Sequence, residues 1–146
     1  MIREATFLDA ADISRLHCSC FEKGWKEKDI EELFEGGGIH AWLSEKDGIA
    51  VAFLLVRTSA DESEIIAVAV DRAFRKQAIA LNLMAHFHKF AKQQGWKKLF
   101  LEVAEDNFDA RHLYERLEYN VFNRRKGYYQ RWHGRKIDAL MMEKNL

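Results

Sequence analysis

Between Ile65 and Val70 the chain carries six apolar residues in a row, IIAVAV, and after a short basic turn the apolar positions change to helical spacing. A strand with no polar alternation has to be covered on both faces, which a sheet achieves only when helices pack on each side of it. The helix expected over Ala78 to Gln93 supplies one such layer. Its Ile79, Leu83, Phe87 and Phe90 fall on one side, and Gly95 stops it just after Lys89 and Lys92. This one stretch points to an α/β fold.

The remaining segments fit around that unit. Ile2 to Thr6 reads as a strand. Asp9 is placed to cap a helix running through Phe21, with Ile13, Leu16, His17 and Cys20 at helical spacing. A second helix is expected over Lys26 to Phe34, ended by Gly36-Gly37-Gly38. Ile39 to Leu43 and Ile49 to Arg57 form a hairpin about Glu45-Lys46-Asp47-Gly48, and Thr58 to Ser63 reads as a polar loop. Leu99 to Val103 is a central strand. Asn107 then caps a helix with Ala110, Leu113, Tyr114 and Leu117 inward. Two last strands, Asn120 to Arg125 and Ile137 to Glu143, flank an aromatic and basic loop from Lys126 to Gly134. Residues 1–146 are expected to form a single domain, a mixed sheet with helices on both faces.

Composition excludes several functions. Lysine plus arginine (23) equals aspartate plus glutamate (23), so the positive excess that general nucleic-acid binding needs is missing. No apolar run approaches the length of a membrane span, and the start of the chain lacks a signal-peptide pattern. A cytoplasmic location is the expectation. Cys18 and Cys20 stand two apart on a helix and diverge, and the histidines show no metal spacing, so no metal site is expected.

The turn Arg75-Lys76-Gln77-Ala78-Ile79-Ala80 leads from the buried strand into the long helix. Unpaired N–H groups at a helix start, the helix dipole and two cations together suit a phosphate or pyrophosphate. Glycine is usual in such turns, and both places where it would be expected hold alanine. If residues 78 and 80 already lie in the first helical turn, alanine serves as well. Glu102, alternating with Leu101 and Val103, is a candidate base or a salt-bridged surface acid. Tyr114 is a core aromatic or a proton donor.

The order of segments, the run AVAVDRAFRKQAIALNLM and the run LFLEVAEDNFDARHLYERLEYNVFNRRKGYY resemble the GNAT acyltransferases. Within them they look most like the bacterial enzymes that acetylate the N-terminal alanine of a small-subunit ribosomal protein. The resemblance implies a mixed, mostly antiparallel seven-stranded sheet with about four helices and acetyl-CoA as cosubstrate. It implies pantetheine along Val68, Ala69 and Val70, pyrophosphate on Arg75, Lys76, Gln77, Ala78, Ile79 and Ala80, and a cofactor contact from Asn107. Glu102 becomes the base that deprotonates an acceptor amine, and Tyr114 the acid that protonates the leaving thiolate or holds its sulfur by a hydrogen bond. Trp25, Tyr128 and Tyr129 become the walls of a slot for a protein N-terminus. Three residues depart from the family pattern: Ala78 and Glu118, where glycine is usual, and Gly24, where proline precedes the tryptophan. Acetylation of a small amine or lysine side chain, and a non-catalytic coenzyme-A-binding relative, are the other readings.

Overall fold

The computed structural model covers residues 1–146 and forms one seven-stranded sheet in the order β1-β2-β3-β4-β5-β7-β6. The elements are β1 (Ile2–Ala5), α1 (Ala10–Cys20), α2 (Glu27–Glu35), β2 (Ile39–Lys46), β3 (Ile49–Ser59), β4 (Glu62–Val70), α3 (Ile79–Gln94), β5 (Lys98–Ala104), α4 (Phe108–Arg116), β6 (Asn120–Gln130) and β7 (Lys136–Asn145). The only parallel pair is β4 with β5, and every other pairing is antiparallel. This is the expected α/β architecture with four α-helices.

Each face of the sheet has its own apolar layer. Under α3 and α4, Leu83, Met84 and Phe87 pack with Trp42, Leu54, Leu99, Leu101 and Tyr114. Under α1 and α2, Ile13, Leu16 and Ile30 pack with Leu43, Phe53, Leu55, Ala67 and Ala69. The IIAVAV run therefore serves two layers: Ile65, Val68 and Val70 join the first, Ile66, Ala67 and Ala69 the second.

Three boundaries differ from expectation for local reasons. Thr58 to Ser63 is not a loop, because the β3–β4 ladder continues to Ser59↔Glu62 and only Ala60 and Asp61 turn, with Ala60 at φ 56°. At the β2–β3 reversal both central residues, Asp47 (φ 53°) and Gly48 (φ 77°), are left-handed, so the strands run up to the turn on either side. Lys126 to Gln130 extends β6 beyond Arg125. There the register slips between Arg125↔Ala139 and Tyr129↔Ile137, and Asp138 accepts from Gly127 N–H at 2.8 Å and from Arg124 at 2.9 Å. A polar, aromatic sequence concealed that strand.

His88 on α3 hydrogen-bonds Tyr119 at 2.8 Å, and burial with Lys144 and Lys92 nearby lowers its pKa to about 4. A folded-state pKa below the unfolded value contributes stability that is complete above about pH 6.5 and is lost as pH falls through 4. Melting measured at pH 7 and pH 4.5 should therefore show a smaller acid loss in His88→Gln, which keeps a polar partner for Tyr119 and does not titrate.

Candidate active site

The site begins where the sheet fails to close. β4 and β5 pair from Glu62↔Lys98 to Glu64↔Phe100 and then part, although both strands continue to Val70 and Ala104. The separation coincides with a bulge: Val56 opposes Ile65 and Leu55 opposes Ala67, leaving Ile66 as the extra residue. A bulge bends its strand and breaks the ladder locally. Past it, Asp71 N–H donates to Val51 C=O, so by alternation the backbone of Ala69 turns to β3 while that of Val68 and Val70 turns into the gap. Val70 C=O there accepts from Arg75 Nε at 3.2 Å and from Cys20 Sγ at 3.5 Å. Ala69, expected beside Val68 and Val70 in this role, presents no backbone group to the gap.

The turn that follows does not start the helix at Ala78. Ala78 is the N-cap in a left-handed conformation, φ 60° and ψ 21°, and Lys76 is left-handed too, at φ 63°. Ala80, in contrast, is an ordinary helical residue, so its substitution for glycine carries no conformational penalty. Holding a non-glycine residue left-handed costs about 1–2 kcal/mol. In return, α3 begins abruptly at Ile79, and the N–H groups of Ile79, Ala80 and Leu81 have no helical carbonyl behind them. With Arg75 and Lys76 alongside, the turn is a competent anion cradle. Ala78→Gly relieves that strain and should raise Tm by roughly 2–4 °C, a gain of about 1 kcal/mol, measured by thermal melting.

Glu102 projects from β5 on the face opposite α3 and α4, into a cavity of about 450 Å³ lined with Glu64, Phe100, Phe122, Arg125, Tyr128 and Met141. Its Oε1 is buried and accepts no hydrogen bond, although Arg125 Nε is 3.1 Å away. The two observations agree once angle is considered. Arg125 ion-pairs with the carboxylate through this oxygen at 3.1 Å, without the alignment of a hydrogen bond. Arg125 also lies over the Tyr128 ring at 5.3 Å. Tyr129 is half-buried beside them, its pKa raised by burial and then by the charge of Glu102. Phe122, Arg125 and Glu64 are residues that sequence reasoning missed. Their common feature is cross-strand position, Glu64 beside Phe100 from β4 and Phe122 and Arg125 from β6, which becomes visible only once the order of strands in the sheet is known.

Tyr114 lies on the other side of the opening, in the layer beneath α4. It is 5% exposed, and burial pushes its hydroxyl up to about 12. The Tyr119 ring meets it edge-on at 5.9 Å. Asn107 caps α4, its side chain accepting from Ala110 N–H at 3.3 Å. Glu118, at φ 68°, takes the left-handed turn where glycine is usual. Glu102 and Tyr114 thus occupy opposite faces of the sheet, and the β4–β5 ladder ends two residues before Glu102.

Trp25 is held by α1. Its N–H donates to His17 Nδ1 at 3.0 Å, its carbonyl accepts from Ser14 Oγ at 2.7 Å, and its ring stacks on His17 at 4.2 Å. Burial lowers the His17 pKa, which keeps the ring neutral and Nδ1 an acceptor. Trp25 lines a shallow cavity with Asp29, Glu32 and Leu33, separate from the Glu102 cavity that holds Tyr128. Gly24 allows the chain to pass close to α1, since a Cβ there would meet Cys18 Sγ at 2.4 Å and Cys18 Cα at 2.6 Å. Gly24→Ala should cost about 2–3 kcal/mol by overpacking, and therefore lower Tm by roughly 5–10 °C in a melting experiment.

An open V between β4 and β5, an anion-holding turn at the head of α3, and a carboxylate and a tyrosine on either side of the opening define a class of acyl-transferring enzymes. The chain belongs to the acetyltransferase (GNAT) family, whose model matches residues 10–119, and it is an acetyl-CoA-dependent N-acetyltransferase. Among its relatives, the [ribosomal protein bS18]-alanine N-acetyltransferase of Haemophilus ducreyi is 33% identical over 99 residues, 68% of each chain. The enzyme of the same name from Salmonella typhimurium is 31% identical over 121 residues, 81% of this chain and 78% of the relative. The crystal structure of the Escherichia coli ribosomal-protein alanine N-acetyltransferase superimposes with a TM-score of 0.91 at 24% identity, covering 99% of this chain and 94% of that one.

Proposed function

We propose that this enzyme acetylates the N-terminal α-amine of a protein, with the terminal alanine of a small-subunit ribosomal protein as acceptor. The observation that carries the proposal is the Glu102 cavity, which combines a buried carboxylate oxygen, ion-paired with Arg125 but accepting no aligned hydrogen bond, with aromatic walls. Its volume suits the first residues of an extended chain and excludes a folded surface. The names of the curated relatives point to the same acceptor.

The chain's own groups fit acetyl-CoA. Val68 and Val70 offer backbone groups to the pantetheine arm. The turn from Arg75 through Lys76, Gln77, Ala78 and Ile79 to Ala80 offers charge and N–H groups to the pyrophosphate, and Asn107 stands at the head of α4. When bound, acetyl-CoA supplies an activated acetyl thioester. An α-amine, with pKa about 7.7–8.0, arrives mainly as ammonium at neutral pH and cannot attack until it loses a proton. Glu102 accepts that proton at its carboxylate. From the opposite face, Tyr114 donates a hydrogen bond to the departing sulfur. With its pKa near 12 it stays protonated at every working pH, so its part is that of a constant donor. Tyr128 and Tyr129 wall the acceptor's path near Glu102, while Trp25 fixes the α1–α2 connection.

Peptides identical except for residue one, incubated with acetyl-CoA and read by mass spectrometry, test the assignment. Alanine-starting peptides should gain 42 Da on the terminal fragment, a mass fixed by acetyl replacing hydrogen, and roughly tenfold faster than leucine-starting ones, whose extra bulk the walls reject. Acetylation confined to internal lysines would overturn the proposal.

A further inference from the structure

Lys46, the last residue of β2, reaches across to the cofactor turn. Its Nζ donates to Gln77 Oε1 and stands over the Phe74 ring, 5.6 Å from the centroid. Gln77 lies between the two left-handed residues of the turn, Lys76 and Ala78, and Phe74 ends the short 3₁₀ segment that enters it. One ammonium group therefore pins the turn at its entrance and at its middle. No other side-chain hydrogen bond holds residues 76 to 78. A turn with glycine at position 78 would adopt this shape without penalty, whereas here the backbone is pulled toward ordinary right-handed or extended angles.

We propose that Lys46 is a positioning residue for acetyl-CoA, acting through Gln77 to keep the turn in its left-handed, cofactor-competent form. This rests on the reading of residues 75–80 as the pyrophosphate cradle. If only a fraction of molecules hold the turn correctly, the apparent dissociation constant rises in inverse proportion to that fraction. Lys46 keeps the fraction high without touching the ligand. The tip of the β2–β3 hairpin thus compensates for the missing glycine.

Calorimetric titration of acetyl-CoA into Lys46→Met, Gln77→Ala, the double variant and Lys46→Met in an Ala78→Gly background separates the alternatives. Each single variant should weaken binding roughly three- to tenfold, the double no more than either single, and Ala78→Gly should recover most of the loss. At saturating acetyl-CoA the kcat of Lys46→Met should equal that of the wild type, and its Tm without ligand should fall by roughly 2–4 °C, a loss that Ala78→Gly offsets. Additive losses, or no recovery with glycine at 78, would show that Lys46 acts on the ligand as a free cation and would overturn the proposal. Unchanged binding in Lys46→Met would overturn it too. Failure of the wild type to bind acetyl-CoA would instead refute the cradle itself.

Discussion

Glu102→Gln should lose about 10²- to 10⁴-fold in kcat with an alanine-starting peptide while binding acetyl-CoA as the wild type does. The split follows from position. Glu102 faces the aromatic cavity on one side of the sheet, whereas the anion-holding turn stands at the N-terminus of α3, which packs on the other. Glutamine preserves the shape and leaves the Arg125 guanidinium against a neutral amide, so loss of the proton acceptor is the main change. Raising the pH should restore part of the activity, because an acceptor amine already deprotonated in solution no longer needs Glu102. Activity of the variant should therefore climb between about pH 7 and 9 more steeply than that of the wild type. A variant as fast as the wild type, measured by peptide mass at both pH values, would remove Glu102 from the mechanism.

Tyr114→Phe should reduce kcat by about 10- to 100-fold with little change in KM for the acceptor, because it deletes a hydrogen bond that strengthens only as charge develops on sulfur. The phenylalanine ring keeps the packing beneath α4. The pH dependence is equally specific. A tyrosine whose folded pKa lies near 12, above an unfolded value of 10, contributes stability that is full below pH 10 and is lost as pH rises through 12. The variant should lose less stability than the wild type in that alkaline window. Tyr119, whose hydroxyl is also raised by burial, keeps part of the alkaline response in both proteins. Equal kcat in the two proteins would leave Tyr114 as a packing residue.

The order of elements and both apolar layers were legible in the sequence because they depend on periodicity. Ile79, Leu83 and Phe87 mark α3, and Leu99, Leu101 and Val103 mark the covered face of β5. Glu102 was legible for the same reason, as the polar residue between two inward ones. What remained hidden depends on pairing between distant segments. The contact of Arg125 with Glu102 needs a slipped β6 register, and that of Lys46 with Gln77 needs two strands and a turn brought together. The conformation of Ala78 was hidden for another reason. Alanine is a good helix former, so its identity pointed to a first-turn residue, and only the approach of the chain from β4 forces it left-handed. Glu118 presents the same left-handed backbone, and at both positions the family's usual glycine marks the place.

The extra residue at Ile66 has a consequence for how such a chain can vary. Ile66 and Ala67 face the same layer, so removing residue 66 would restore plain alternation after Ile65 and keep Ala67 to Val70 on the faces they hold now. It would, however, remove the bend that parts β4 from β5 and let the two strands pair on past Glu64↔Phe100, closing the gap beside Glu102. Position 66 can accept many side chains, yet it cannot be left out. Substitution scanning would rank it as permissive, while a one-residue deletion would spare the layering and abolish the chemistry, so the constraint lies in the length of the segment and leaves no trace in its composition.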